Sequence, residues 1–355
     1  MAYTTIDNPE LFFQTKLYTG TGSSQSITLD GDENMQPDFV WLKDRNATNG
    51  HFLYDSVRGV TKELNSQTTQ TEQTKSGGLT AFGSDGFTIG DYVGHNDNST
   101  NYVSWNWKTG TSFTNDASAT GVGDIDSTGS VNTDAGFSIV SYTGNGTSGT
   151  EVAHGLGSTP DLYITKSRSY TYGWGLYHKD IANDKGFFLN GTDAQLTGTG
   201  FRNSTAPTSS VFTLGGGSQP YRYTSNKSGE TYIGYFFKEV KGYSKFGSYT
   251  GNGNADGTFI YTGFRPAFFL IKRTDAAYQW YIHDNKRNTS NVMDKELYPS
   301  ASSAEATVST KDFLSNGVKI RGSQVSQNAS GGTYIFMAFA ESPFVNSSGV
   351  PTNAR

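Results

Sequence analysis

Three stretches of the chain share one pattern. "PDFVWLK" (37–43), "PDLYITK" (160–166) and "PAFFLIK" (266–272) each open on proline, run through mostly apolar residues and end on lysine. An unbroken apolar run, without alternation, predicts a strand covered on both faces. A proline at a strand's first position forfeits no ladder hydrogen bond, so each proline predicts a strand start. The runs sit in a longer repeating order. A Tyr-Thr-Gly phrase precedes each one (Tyr18, Tyr142, Tyr249), and a segment led by His51, Trp174 or Trp280 follows. Next come "SDGFTIG", "SSVFTLG" and "LSNGVKI", and each unit closes on an aromatic strand, "NYVSWNW", "TYIGYFF" or "TYIFMAF".

Short aromatic and Thr-rich runs separated by Gly/Asn/Asp/Ser clusters predict an all-β chain of three tandem β-sandwich (jelly-roll-like) units, with few or no long helices. The strongest helix candidate is the short stretch 55–65. Unit one, with a short N-terminal arm, spans 1–110, unit two 136–240 and unit three 241–342, followed by a tail at 343–355. The segment 111–135 is rich in Gly, Ser, Thr and Asp and reads as a linker. Each sandwich alone buries little more than chain entropy consumes, so burial between units or subunits is expected. The tail is expected to dock as a strand on a neighbouring subunit.

The phrase "SYTGNG" occurs at 141–146 and 248–253, with "LYTGTG" at 17–22. A phosphate cradle needs a helix directly after its glycines. Strand-like sequence follows here, so the phrase is a strand end entering an Asn-Gly turn.

Composition narrows the functions. No cysteine is present, which removes disulfides and thiolate chemistry, and the net charge of −5 offers no basic stripe for nucleic acid. No apolar run is long enough for a membrane helix. "MAYTTIDNPELFFQ" shows no secretion signal, which predicts synthesis in the cytoplasm.

Candidate chemistry is sparse. His51, His95, His154, His178 and His283 are scattered without metal spacing. His178 and His283 fall at nearly equivalent places, where unit one has Tyr54. "DIDSTG" (124–129) and "NGNADG" (252–257) imitate calcium loops but lack the twelfth-position Glu and read as Asx turns. Asp55/Arg58 and Asp284/Arg287 recur between units, as structural ion pairs would. Trp174 and Trp280 recur in register and read as core. No residue is read as catalytic, cofactor-binding or metal-ligating. Tyr170, Tyr172, Tyr221 and Tyr223 are unmatched in the other units, so they mark a candidate face for a glycan or protein partner. The alternative reading is that they cover a neighbouring unit or subunit.

The opening "MAYTTIDNPELFFQTKLYTGTGSSQSI", with "LYDSVRG", "GFSIVSYTGNGTSGTEVAHGLGSTPDLYITKSRS" and "GYSKFGSYTGNGNADGTFIYTGFRPAFFLIKRTD", resembles repeated domains of structural proteins in tailed, especially marine, bacteriophages. The resemblance implies a virion component: a non-enzymatic, surface-exposed tail-fibre or tail-tip module for host attachment. A capsid or tail decoration protein and a glycan depolymerase are the alternatives. It implies other virion proteins as partners, a homotrimer by analogy, and a host-surface glycan or envelope protein as target. Nucleic acid, membrane insertion and cofactors are not expected.

Overall fold

The computed structural model describes residues 3–352, the side chains of 309 and 310 excepted. Strands dominate among them, and α-helix is confined to the short turns Val93–Asn96, Ala117–Thr120 and Val325–Asn328. Three sandwiches follow one another. In unit one the larger sheet runs Phe13–Thr19, Asn101–Trp107, Phe39–Asp44, His51–Asp55, Lys62–Asn65 and Gln73–Thr74 in spatial order, and the smaller joins Gln25–Ile27, Gly86–Ile89 and Leu79–Gly83. Unit two repeats this with Phe137–Thr143, Thr231–Phe237, Leu162–Ser167, Gly175–His178 and Lys185–Phe188. Unit three does so with Ser244–Thr250, Thr333–Pro343, Phe264–Arg273 and Trp280–Asp284.

The apolar runs are continuous because each larger sheet is covered twice. Val40 and Leu42 point into the interior of their own sandwich, while Phe39 and Trp41 point the other way. Phe269 and Ile271 divide from Phe268 and Leu270 in the same manner. The outward set from all three units meets in one shared core, where Phe13, Trp107, Phe237, Phe268 and Phe339 touch ring to ring. Burying one such side chain contributes ~1.5–3 kcal/mol, so a unit cut from its neighbours would lose the cover of a whole sheet face.

The contacts between units recur in cyclic order. The Glu72 N–H donates to the Arg168 carbonyl (2.8 Å), Gln195 N–H to Thr274 (2.9 Å) and Glu305 N–H to Arg45 (2.9 Å). Trp174 Nε1 donates to the Asn65 carbonyl (2.9 Å) and Trp280 Nε1 to that of Phe188 (3.1 Å). His51 holds the tryptophan's place at the third seam and faces the Tyr298 backbone. The units therefore close a ring: one on two, two on three, three on one.

The Tyr-Thr-Gly phrase has a matching anchor in each unit. Tyr18, Tyr142 and Tyr249 donate to the carbonyls of His95, Ser225 and Gln327. The turn after the phrase is held by Asn96, Asn226 and Asn328, whose side-chain oxygens accept N–H groups from Thr21, Asn145 and Asn252 at 2.9 Å each. Gly20, the phrase's glycine, lies so close to the Asp97 carbonyl that an added Cβ would stand 2.2 Å from it.

Several expectations are corrected. The stretch 111–135 is no linker: Thr111–Asn115 and Ser127–Asn132 are strands added beyond Phe137–Thr143 at the edge of unit two. Its Ser and Thr pair in the ladder while Phe113, Ile125 and Val131 pack on the unit-two core, a pattern that bulk composition hid. The segment 55–65 forms no helix, because the Asp55 carboxylate takes the Arg58 N–H (2.8 Å) and turns the chain into Lys62–Asn65. Pro266 lies inside its strand, at a register shift. His178 lies opposite Leu162, as Asp55 lies opposite Phe39 and Asp284 opposite Phe268, so it replaces an aspartate; Tyr177 is the partner in place of Tyr54 and His283. The tail, whose residues 353–355 lie outside the described ones, turns back through a Val345–Pro351 bridge and bonds Asp7 of its own N-terminal arm from Ser347.

Candidate functional site

Unit two's loops converge on one aromatic face. After the strand Leu162–Ser167, the Ser167 hydroxyl accepts the Tyr170 N–H (3.0 Å) and fixes a turn that carries Tyr170 and Tyr172. Gly173 lets that turn pass, since a Cβ there would stand 2.4 Å from the Phe188 ring. From the other side comes the insertion 220–223. Tyr221 takes a left-handed backbone (φ 66°), held by stacking on Phe201 (4.7 Å) and by its edge contact with Phe188 (5.7 Å). Tyr223 then lies edge-on to both Tyr170 (5.5 Å) and Tyr172 (5.7 Å), whose rings are 6.5 Å apart.

Two cations frame these rings. The Arg222 guanidinium sits 4.3 Å from the centre of the Tyr223 ring and donates to its hydroxyl, and Lys227 Nζ lies 3.9 Å from the Tyr170 ring while pairing with Glu230. All four tyrosines are half-buried. Burial raises the Tyr172 pKa, so the phenol stays neutral. Such a face offers flat apolar area, hydroxyls and fixed positive charge together, and it loses little side-chain entropy on contact.

The remaining candidates are engaged inside the fold. All five histidines are buried, and burial lowers His95 to about 3 and His154 and His178 to about 4. His178 accepts the Asp180 N–H at Nδ1 and meets the Phe336 carbonyl at Nε2, leaving it no route to a substrate. Asp124 and Asp126 line a groove of about 580 Å³, yet they accept the N–H groups of Glu151 and Ala117. Asn252 and Asn254 accept the N–H groups of Asn254 and Asp256, which are Asx turns. Among the described residues no three His, Cys, Asp or Glu side chains come together to hold a metal. Trp174 and Trp280 are core residues, at 0% and 1% exposure.

Sequence reasoning missed a second opening. A groove of about 490 Å³ is lined by unit one and by Thr171 of unit two, which lies between Tyr170 and Tyr172 in the chain. Its polar Gln, Thr and Asn residues (65–73) carry no periodicity that marks a groove; only the closed fold lines them up.

Among curated proteins none matches this chain. A family model described as "Domain of unknown function (DUF7483)" matches residues 8–343, and the chain belongs to that family.

Proposed function

We propose that this chain is a non-enzymatic structural protein of a phage virion, exposed on a tail fibre or tail tip, where it attaches the particle to a host-cell glycan or envelope protein. The observation that carries this reading is the convergence of Tyr170, Tyr172 and Tyr223, with Tyr221 behind them, on one half-exposed face that units one and three do not reproduce. The resemblance to phage structural domains supplies the virion context. The ring of three units supplies rigidity, which a binding face on loops needs. Because one chain covers the shared core by itself, a homotrimer would form through outer surfaces.

Purified protein added to host cells is expected to compete with phage adsorption, and a Tyr170→Ala/Tyr172→Ala variant to lose that competition. Undiminished competition by the variant would remove the tyrosine face from the account.

A decoration module fixed to the capsid or tail without host contact is the second reading. It is favoured by the edge strand Phe259–Tyr261, where Phe259 and Tyr261 are 43% and 55% exposed beside the N-terminal Tyr3. Particle reconstruction separates the two: density on the capsid shell supports decoration, density at the tail supports attachment.

A further inference from the structure

The groove across unit one has the chemistry of a carbohydrate site. Its floor holds Glu63 and the half-buried ring of Tyr92. The ring is fixed edge-on by Phe52 (5.9 Å) and His95 (5.2 Å), and Lys75 Nζ lies 5.0 Å above it. Glu63 is oriented by the Tyr54 hydroxyl, which donates to it at 2.6 Å. Burial raises the Glu63 carboxyl above its ordinary range, against the pull of Tyr54 and Lys75.

The walls are amides: Gln67, Gln70 and Gln73. Gln67 is preset, because its oxygen accepts the His51 N–H (2.9 Å) and Gly50 makes room for its nitrogen, from which a Cβ would be 2.2 Å away. Among the lining residues Glu63 is the one carboxyl group and Lys75 the one ammonium, so the groove carries at most one net charge and is rich in both donors and acceptors. That composition disfavours an apolar ligand or a polyanion and suits a chain of neutral hydroxyls with one aromatic stacking point.

Two further observations join the groove to the tyrosine face. Thr171, between Tyr170 and Tyr172 in the chain, is one of the groove's lining residues. The seam between the halves is locked, since Glu72 bonds the Arg168 carbonyl through its N–H and the Arg168 guanidinium through both carboxylate oxygens (2.9 and 3.1 Å). In unit two the place of Glu63 belongs to Gly186, and the Phe201 ring fills the space, 2.6 Å from where a Cβ would be. The same scaffold position is thus an open polar groove in one unit and a raised aromatic platform in the next.

We propose that the unit-one groove and the unit-two tyrosines are two halves of one site for a linear, neutral polysaccharide, with one sugar stacked on Tyr92 and later sugars crossing Thr171 onto Tyr170 and Tyr172. This rests on the attachment reading above and names its ligand.

The test uses the full chain on an array of neutral and uronate-bearing bacterial polysaccharides. Binding to neutral members is expected, weakened at least ~10-fold by Tyr92→Ala and by the exposed pair Gln70→Ala/Gln73→Ala, which leaves the core intact. Tyr170→Ala/Tyr172→Ala is expected to weaken the same members. If only the tyrosine variant loses binding, the groove is overturned and the attachment face stands. If uronate-bearing polymers bind in preference to neutral ones, the ligand class is overturned. If no polysaccharide binds, the glycan reading falls and takes the groove with it.

Discussion

Two of the three seams carry a buried carboxylate–arginine network, and the third does not. Between units one and two, Asp55 pairs with Arg58 at 2.5 Å inside unit one, accepts the Tyr235 hydroxyl of unit two at 2.7 Å, and Arg58 reaches Glu72. Glu72 in turn holds Arg168. Between units three and one the same positions carry Asp284, Arg287, Glu305 and Arg45, with Trp105 donating to Asp284 at 3.1 Å. Between units two and three every member changes. His178 stands for the aspartate, Ile181 for the arginine, Gln195 for the glutamate and Thr274 for the second arginine. The neighbour's donor, Tyr235 or Trp105, is replaced by Met337, which has no hydrogen to give. A buried carboxylate is tolerated where a neighbour donates to it and an arginine pairs with it. Where the donor is absent, the network is absent as a set. The seams vary as whole networks, residue by matched residue.

That comparison can be broken most severely at the aspartates. Asp55→Ala or Asp284→Ala strips a buried guanidinium of its nearer carboxylate, leaving the longer contact to Glu72 or Glu305, and is expected to cost about 3 kcal/mol, read from denaturant unfolding midpoints. His178→Ala is expected to cost clearly less, because no buried charge is orphaned. A loss from His178→Ala equal to that from Asp55→Ala would end the distinction between the seams.

Ile181→Arg alone is expected to destabilise by about 3 kcal/mol, as an unpaired charge enters the shared core. Adding His178→Asp, Gln195→Glu, Thr274→Arg and Met337→Tyr is expected to recover most of that loss. Recovery measures coupling between the positions; strict additivity would contradict the network view. Smaller again is Glu72→Gln or Glu305→Gln, which copies Gln195. The closer arginine partners, Arg168 and Arg45, are a fifth exposed, and the contacts to buried Arg58 and Arg287 are longer (3.4 and 3.3 Å), so about 1 kcal/mol is expected.

The smallest effect sharpens the comparison through pH. Lys43, Lys166 and Lys272 end the three apolar runs, and burial lowers them to about 8, 7 and 8. Lys166 and Lys272 donate across their seams to the carbonyls of Thr69 and Thr192, whereas Lys43 bonds within unit one. In the unfolded chain a lysine keeps its proton up to a pKa of ~10.4, while the folded chain releases it from about 7 to 8 upward. Over that window the folded state binds fewer protons, so stability contributed by these groups rises with pH. Melting temperatures are expected to climb between about pH 7 and pH 9, and Lys166→Met to flatten the climb.

Much of this architecture was legible in the chain. The Pro-to-Lys runs marked the central strands, and their lack of alternation marked double burial, which the shared core now explains. The recurrent Asp/Arg spacing identified an ion pair, though not the Tyr235 and Trp105 hydroxyl and indole donors from neighbouring units, since those contacts span some 180 positions of sequence. The strands in 111–135 escaped notice because Ser and Thr serve ladders and loops alike. At the site, the four unmatched tyrosines were visible as insertions. The groove was not: Glu63 and Tyr92 lie in separate segments of unit one, and Thr171 joins them across the seam from unit two.

The central claim is that three sandwiches share one core and stand or fall together. Scanning calorimetry of the intact chain tests it directly, by comparing the measured unfolding enthalpy with the van't Hoff enthalpy from the shape of the transition. The account predicts one transition in which the two agree. Separate transitions, or a measured enthalpy about three times the van't Hoff value, would mean that the units melt independently and that the shared core does not bind them into one body.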